Sequence, residues 1–279
     1  MRVLVSADME GATGVTWTAD VVPGTEQWQR MRRLFAGDVN ACVAGLFAGG
    51  ATEVLVNEAH SAQRNLLLED LDERASMLTG RHKPLSMMQG IDGAHGGPVD
   101  GVVFLGYHAG AGARGVLSHT YLENSITGVW LDGTHASEGR LNAALATEHG
   151  VPVLLVTGDD LACRDAHGYV PDARTVAVKD YVSRYAAVCR PPARTAAELH
   201  EAARAAMTRA GRLTPSVLPH RIEVEFDATH LADAAAVVPT VSLVDDRRVG
   251  FDAASMTDAM KAFKIVTAIA AGAVEGVYG

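Results

Sequence analysis

Short uninterrupted apolar runs alternate along this chain with longer stretches whose apolar positions recur every three or four residues. The runs RVLVSA (2–7), TEVLVNE (52–58), DGVVFLGY (100–107), GVWLDG (128–133), VPVLLVTG (151–158) and RTVAVK (174–179) predict strands. Between the first two, EQWQRMRRLFAGDVNACVAGLFAGG repeats at helical spacing and closes at Gly49-Gly50. A second helix is expected from near Glu138 through LNAALATEHG to Gly150. Continuously apolar strands alternating with helices imply an α/β fold, a mostly parallel sheet with helices on both faces.

The last third changes character. Pro191-Pro192 interrupt the pattern, and TAAELHEAARAAMTRAG then reads as a helix opened by a capping box, Thr195 with Glu198, and ended at Gly211. IEVEF (222–226) alternates as a half-exposed strand does, and SMTDAMKAFKIVTAIAAG reads as a final helix capped at Ser255 with Asp258. The expectation is an α/β metal-binding catalytic core over residues 1–190 followed by a smaller α+β part over 191–279. No internal repeat or low-complexity tail is apparent beyond Ala-rich helices.

Composition narrows the function classes. At 279 residues, 48% hydrophobic and 20% charged, the chain is long enough to bury a large core without disulfides. A net charge of -9 with no Lys/Arg tract argues against nucleic acid or an anionic membrane as partner. Cys42, Cys163 and Cys189 form no CxxC pair and read as free thiols in a reducing compartment. With no signal-peptide pattern at the start and no run near the roughly 20 apolar residues of a membrane span, a cytoplasmic protein is expected.

The chemistry-bearing residues fall just after the predicted strands. The first run stops at two acids, Asp8 and Glu10, flanking Met9. In extended geometry their side chains point the same way, and two like charges so placed need a cation or a proton between them. NEAHS supplies His60, LGYHAG supplies His108, a predicted helix begins at Glu138, and VTGDD ends in Asp159-Asp160. Ligands bind outside the carboxyl ends of strands in open parallel sheets, so these groups would converge on one edge. Asp, Glu and His together suit zinc or another first-row divalent ion. Each residue alone has a plainer explanation: a loop histidine, a helix-dipole glutamate at 138, an N-cap aspartate at 159–160. Trp17 and Trp28 read more readily as core packing than as pocket walls, and Arg140 as part of a solvated helix face.

In order, SADMEG, NEAHS, LGYHAG, LSHT, SEGRLNA and VTGDD, with VKDYVSRYAAVCRPP at 178–192, resemble the zinc-dependent D-aminopeptidase family, peptidase family M55. The resemblance covers most of the chain and weakens after about residue 215. It implies two Zn2+ per chain, with Co2+ or Mn2+ compatible with the same ligand types. Asp8 matches the aspartate that bridges the two ions, and Glu10, His60, His108 and Glu138 match the remaining ligands. His119, in VLSHT, matches the proposed catalytic histidine. The resemblance further implies small D-amino-acid peptides as substrates and a ring-like homodecamer.

On that basis the expected reaction is removal of an N-terminal D-amino acid of D-Ala type from short peptides by an activated water. Asp159 and Asp160 are then expected to orient a ligand histidine, and Lys179 and Arg184 to hold a substrate carboxylate or an interface. The alternatives are a hydrolase acting on another D-amino-acid amide or ester, and a non-catalytic oligomer binding metal or D-peptides. A magnesium phosphoryl-transfer site fits poorly, because the set contains two histidines and no glycine-rich phosphate loop.

Overall fold

The computed structural model describes residues 1–275. In chain order its main elements are β1 Arg2–Ala7, α1 Thr18–Val21, α2 Glu26–Ala48, β2 Glu53–Glu58, β3 Ala75–Leu78, β4 Gly101–Leu105, β5 Ile126–Leu131, β6 Thr134–His135, α3 Glu138–Glu148 and β7 Val153–Asp159. These are followed by α4 Asp160–His167, β8 Arg174–Ser183, β9 Ala186–Cys189, α5 Pro192–Ala206, β10 His220–Phe226, α6 Thr229–Ala235, β11 Ser242–Leu243, β12 Arg248–Ala253 and α7 Met256–Gly272.

Seven strands form a sheet in the order β3-β2-β1-β4-β7-β8-β9, parallel throughout except where β9 turns back along β8. Its strands are apolar on both faces because both faces are covered. Val3, Val5, Val54, Val56, Val103 and Leu105 pack under α2 and α5, against Phe35, Val39, Val43 and Leu199. Leu4, Leu55, Val102, Phe104 and Val156 face the other way, towards Leu141 and Leu145 of α3. Phe35 is fully buried, and a Phe35→Ala cavity would cost about 3–5 kcal/mol.

A second, antiparallel sheet runs β11-β12-β10-β5-β6. Its inward side chains, Val129, Ile222, Val224, Phe226 and Phe251, share one core with α6, α7 and the second face of the parallel sheet. Chain position and layer therefore do not coincide. GVWLDG becomes β5 and pairs with β10 rather than joining the parallel sheet, while α5 packs with α2.

The helix starts divide in the same way. Ser255 caps α7 as expected, its Oγ accepting from Asp258 N at 3.1 Å. The Thr195–Glu198 capping box is not used. α5 begins three residues earlier, with Pro192 in its first turn, where a missing N–H costs nothing. Thr195 lies buried inside the helix and donates to the Pro192 carbonyl at 3.1 Å.

What positions the site is the sheet order. From β1 the chain proceeds outward through β2 to β3, then returns to lay β4 on the other side of β1. This reversal leaves a crevice at the carboxyl ends of β1 and β4. The segments leaving the two strands nearly touch there. Gly11 N donates to Gly106 O at 2.7 Å, and a Cβ on Gly11 would stand 2.1 Å from the Tyr107 carbonyl. Gly106 has φ +72°, and a Cβ there would stand 2.1 Å from the Asp8 carbonyl. Only glycine permits that approach at either position.

Candidate metal centre

Six residues from four chain segments meet in the crevice. Asp8 and Glu10 follow β1, His60 follows β2, His108 and His119 follow β4, and Glu138 opens α3. Five of them are buried and His119 is half-buried. Their donor atoms form three overlapping groups, each drawn within 4.8 Å: Asp8, Glu10 and His60; Asp8, His108 and Glu138; and Glu10, His108 and His119.

Asp8 divides its oxygens between two of these groups. Oδ1 lies 3.6 Å from His60 Nδ1, and Oδ2 lies 3.4 Å from His108 Nε2. Glu10 Oε2 stands 2.9 Å from His60 Nδ1, and Glu138 Oε2 stands 3.6 Å from His108 Nε2. The other Glu138 oxygen accepts from Tyr121 N at 2.8 Å, which fixes the carboxylate. His119 stacks on His108 with ring centroids 4.2 Å apart, and its Nε2 is 3.8 Å from Glu10 Oε1.

Backbone carbonyls set the histidine tautomers. His60 Nε2–H donates to Val21 O at 2.9 Å, His108 Nδ1–H to Ala109 O at 3.0 Å, and His119 Nδ1–H to Leu117 O at 2.8 Å. In each ring the outward nitrogen is engaged, so the inward nitrogen carries either a lone pair or an extra proton. Metal-binding histidines have this arrangement, with the second nitrogen held by a carbonyl or carboxylate.

The electrostatics fit a divalent cation. Burial, and then the charge of Glu10, push Asp8 above the usual carboxylate range, partly offset by His108 and His60. Burial pushes Glu10 up as well, but His60, His119 and His108 together hold it well below its ordinary value. Glu138 is likewise lowered: burial raises it, and His108 and His119 outweigh that. Burial disfavours charge on His60 and His108, yet Glu10 and Asp8 raise the first, and Glu138 and Asp8 raise the second, well above the usual histidine value. With its own groups the chain can balance three buried carboxylates only by keeping protons on these histidines. A bound cation would displace those protons. Asp8 Oδ2 and Glu10 Oε2 are buried, and apart from the ring nitrogens of His108 and His60 at 3.4 and 2.9 Å no donor reaches them. The donor set, oxygen and imidazole nitrogen, suits zinc-type ions.

Asp159, Asp160 and Lys179 do other work than the sequence suggested. Asp159 and Asp160 do not touch the histidines. Asp159 caps α4 through Ala162 N at 2.7 Å and accepts from Val116 N at 2.6 Å, while Asp160 accepts from Tyr181 N at 2.7 Å. Lys179 is fully buried, and its ammonium donates to the carbonyls of Glu10, Ala12 and Val15 at 2.6, 2.9 and 2.6 Å. It tethers the loop that carries Glu10 instead of meeting a substrate. Arg184 donates to Asn124 Oδ1 at 2.8 Å on the cavity wall. Arg140 lies over the Tyr169 ring, 5.5 Å from its centroid, and donates to Gly168 O. Trp28 is buried and donates to Asn65 Oδ1 at 3.0 Å, but Trp17 is half exposed, edge-on to Tyr185.

The centre opens into a cavity of about 890 Å³. Of the seven non-glycine residues with left-handed φ among the described residues, six line it: Ser61, Gln63, Ser86, Leu117, Tyr121 and Glu123. Such strain concentrates at functional sites. Gln63 Oε1 and Tyr121 Oη are also buried without a hydrogen-bond partner. Nothing in the hydrophobic pattern marks either residue, because both sit in irregular segments.

Fold and site together define an α/β protein with a carboxylate–histidine centre at the switch point of a parallel sheet. A family model for the M55 peptidases, described as D-aminopeptidase, matches residues 1–265, and the chain belongs to that family. A D-aminopeptidase of Bacillus subtilis (strain 168) is 34% identical over 273 residues, covering 97% of this chain and 98% of that protein. The solved structure of the Zn-dependent D-aminopeptidase DppA from Bacillus subtilis, a self-compartmentalizing protease, matches with a TM-score of 0.91 at 34% identity. It covers 97% of this chain and 98% of its own. No helix among the described residues is long and apolar enough to cross a membrane.

Proposed function

We propose that this chain is a metal-dependent D-aminopeptidase that removes an N-terminal D-amino acid, of D-Ala type, from short peptides at a two-zinc centre. Asp8 is the shared ligand, with Glu10 and His60 completing one side and His108 and Glu138 the other. The observation that carries this reading is the division of Asp8: Oδ1 faces the His60 side and Oδ2 the His108 side. When bound, the ions supply a water of lowered pKa and polarise the scissile carbonyl.

The chain's own groups supply the rest. The free amine of a peptide N-terminus, the group that an aminopeptidase must recognise, would be held at the centre beside Asp8, Glu10 and Glu138, whose charge the bound ions neutralise. His119, its Nδ1–H committed to Leu117 O, presents Nε2 to the centre. There it takes a proton from the attacking water and returns it to the departing amine. Lys179 and the Gly11–Gly106 approach hold the Glu10 loop in place, and Leu117 N, anchored on Arg184 O at 2.9 Å, steadies the segment that carries His119. Likeness to the self-compartmentalizing relative supports self-association, and a ring-like homodecamer is the proposed form.

The test compares hydrolysis of D-Ala-D-Ala and L-Ala-L-Ala by one zinc-loaded preparation. The expected result is a strong D preference that a chelator abolishes and zinc restores. Equal rates on the two peptides, or activity indifferent to the chelator, would overturn the proposal.

A further inference from the structure

The cavity that opens from the acidic centre has a cationic wall. Arg81, Lys83 and Lys264 all line it, and a hydrogen bond joins Lys264 to the backbone of Lys83, two residues after Arg81. Lys83, 7% exposed, donates through Nζ to Asn57 Oδ1 at 2.6 Å and to the Glu58 carbonyl, two residues before His60. Lys264 Nζ donates to the carbonyls of Lys83 and Pro84. The wall adjoins the centre through Tyr121, whose backbone N–H holds Glu138 and whose ring packs edge-on against Phe263, next to Lys264.

Every acceptor these lysines have found is neutral. No carboxylate lies within salt-bridge distance of Arg81, Lys83 or Lys264 among the described residues. Glu58, whose backbone carbonyl Lys83 holds, turns its carboxylate to Asn65, Leu66 and Thr79. The three cations therefore repel one another, and only Lys83 feels an opposing carboxylate, that of Glu58, without a direct ion pair. Lys264 is lowered by burial and by Arg81, and Lys83 is pushed down to about 8 by burial and Lys264, against the pull of Glu58. Elsewhere the arginines pair readily, as Arg248 does with Glu225 at 2.7 Å. A cluster of unpaired positive charge in a concave, partly desolvated wall is suited to an anion.

We propose that Arg81, Lys83 and Lys264 form the subsite for the free C-terminal carboxylate of a short peptide whose N-terminus occupies the metal centre. This rests on the aminopeptidase reading and sharpens its substrate class. An extended dipeptide separates its charged ends by only about 7 Å, and the centre and the cationic wall line one and the same cavity. The metal centre takes the free amine and the cationic wall takes the carboxylate. The same geometry rejects substrates with a blocked C-terminus, since burying that wall against an amide leaves the charges unanswered.

The experiment uses zinc-loaded protein with D-Ala-D-Ala and its C-terminal amide, measured by steady-state kinetics and by calorimetric binding. The variants are Arg81→Gln and Lys264→Gln. Lys83 is left intact because it also holds the end of β2. One charge-assisted contact amounts to about a tenfold to hundredfold preference. We expect the wild type to favour the free acid by about that factor in kcat/KM, carried mainly by KM, and each variant to shrink the ratio. Equal kcat/KM for acid and amide in the wild type, or variants that lower both substrates alike, would overturn the subsite. Turnover of neither peptide would overturn the aminopeptidase reading instead, while the calorimetric acid-to-amide ratio would still decide the subsite.

Discussion

Two regions of this molecule gather charge, and they do so in opposite ways. On the antiparallel sheet, Arg221, Glu223, Glu225, Arg248 and Asp252 alternate in sign across β10 and β12. Arg221 reaches Glu223 at 3.0 Å and Asp252 at 3.1 Å, and Arg248 reaches Glu225 at 2.7 Å. Each charge has an opposite neighbour and water nearby, which is how solvated surfaces resolve charge. At the carboxyl ends of β1 and β4, three acids and three histidines are drawn together with no lysine or arginine among them. The first arrangement is complete as it stands. The second is balanced only by protons or a cation, and that imbalance is what makes it a site.

The largest effect should come from the group shared by both halves of the centre. Asp8→Ala should abolish both zinc binding and D-peptide hydrolysis, read by metal analysis and turnover on one sample. His119→Ala comes next: it should lower kcat by about a hundredfold to ten-thousandfold, the range for a proton-transfer group, while zinc content stays at the wild-type value. A metal-free His119→Ala protein would make His119 a ligand and redraw the centre.

Asp38, a buried acid outside both clusters, calibrates the comparison. Burial pushes it up to about 6, against the donors on Thr13 and the charge of Lys179. Its folded value lies above its unfolded one, so the stability it contributes is full below about pH 4 and is lost as pH rises through 6. Relative to the wild type, Asp38→Asn should therefore gain up to about 3 kcal/mol between pH 4 and pH 8, measured by urea unfolding at both pH values. A pH-independent difference would contradict the buried-acid account. The smallest effect belongs to the surface. Arg248→Ala should change stability by less than about 1 kcal/mol and leave turnover untouched; a larger loss would mean that the sheet charges act as a coupled network.

Much of the site was legible because its residues stand at strand ends, where local pattern and topology coincide. RVLVSA followed by two acids, and LGYHAG after an apolar run, already place Asp8, Glu10 and His108 on one edge. What stayed hidden depended on contacts distant in sequence. GVWLDG has the composition of a buried strand in either sheet, and only pairing with residues 222–226 assigns it to the antiparallel one. Thr195 and Glu198 have capping-box spacing, but Pro192 is an equally good helix start, and α5 takes the earlier one. Asp159 resembles a partner for a ligand histidine until the fold supplies backbone carbonyls for that task. Lys179 reads as a substrate or interface cation because no local signal shows three carbonyls converging on its ammonium from 164 to 169 positions away.

The central claim is that Asp8 joins two metal positions, and zinc stoichiometry tests it most directly. Equilibrium dialysis of the chelator-stripped chain against zinc should give two ions per chain in the wild type and one in Glu138→Gln, where Glu10 and His60 still complete a site with Asp8. A single ion in the wild type, or two retained in Glu138→Gln, would contradict the account.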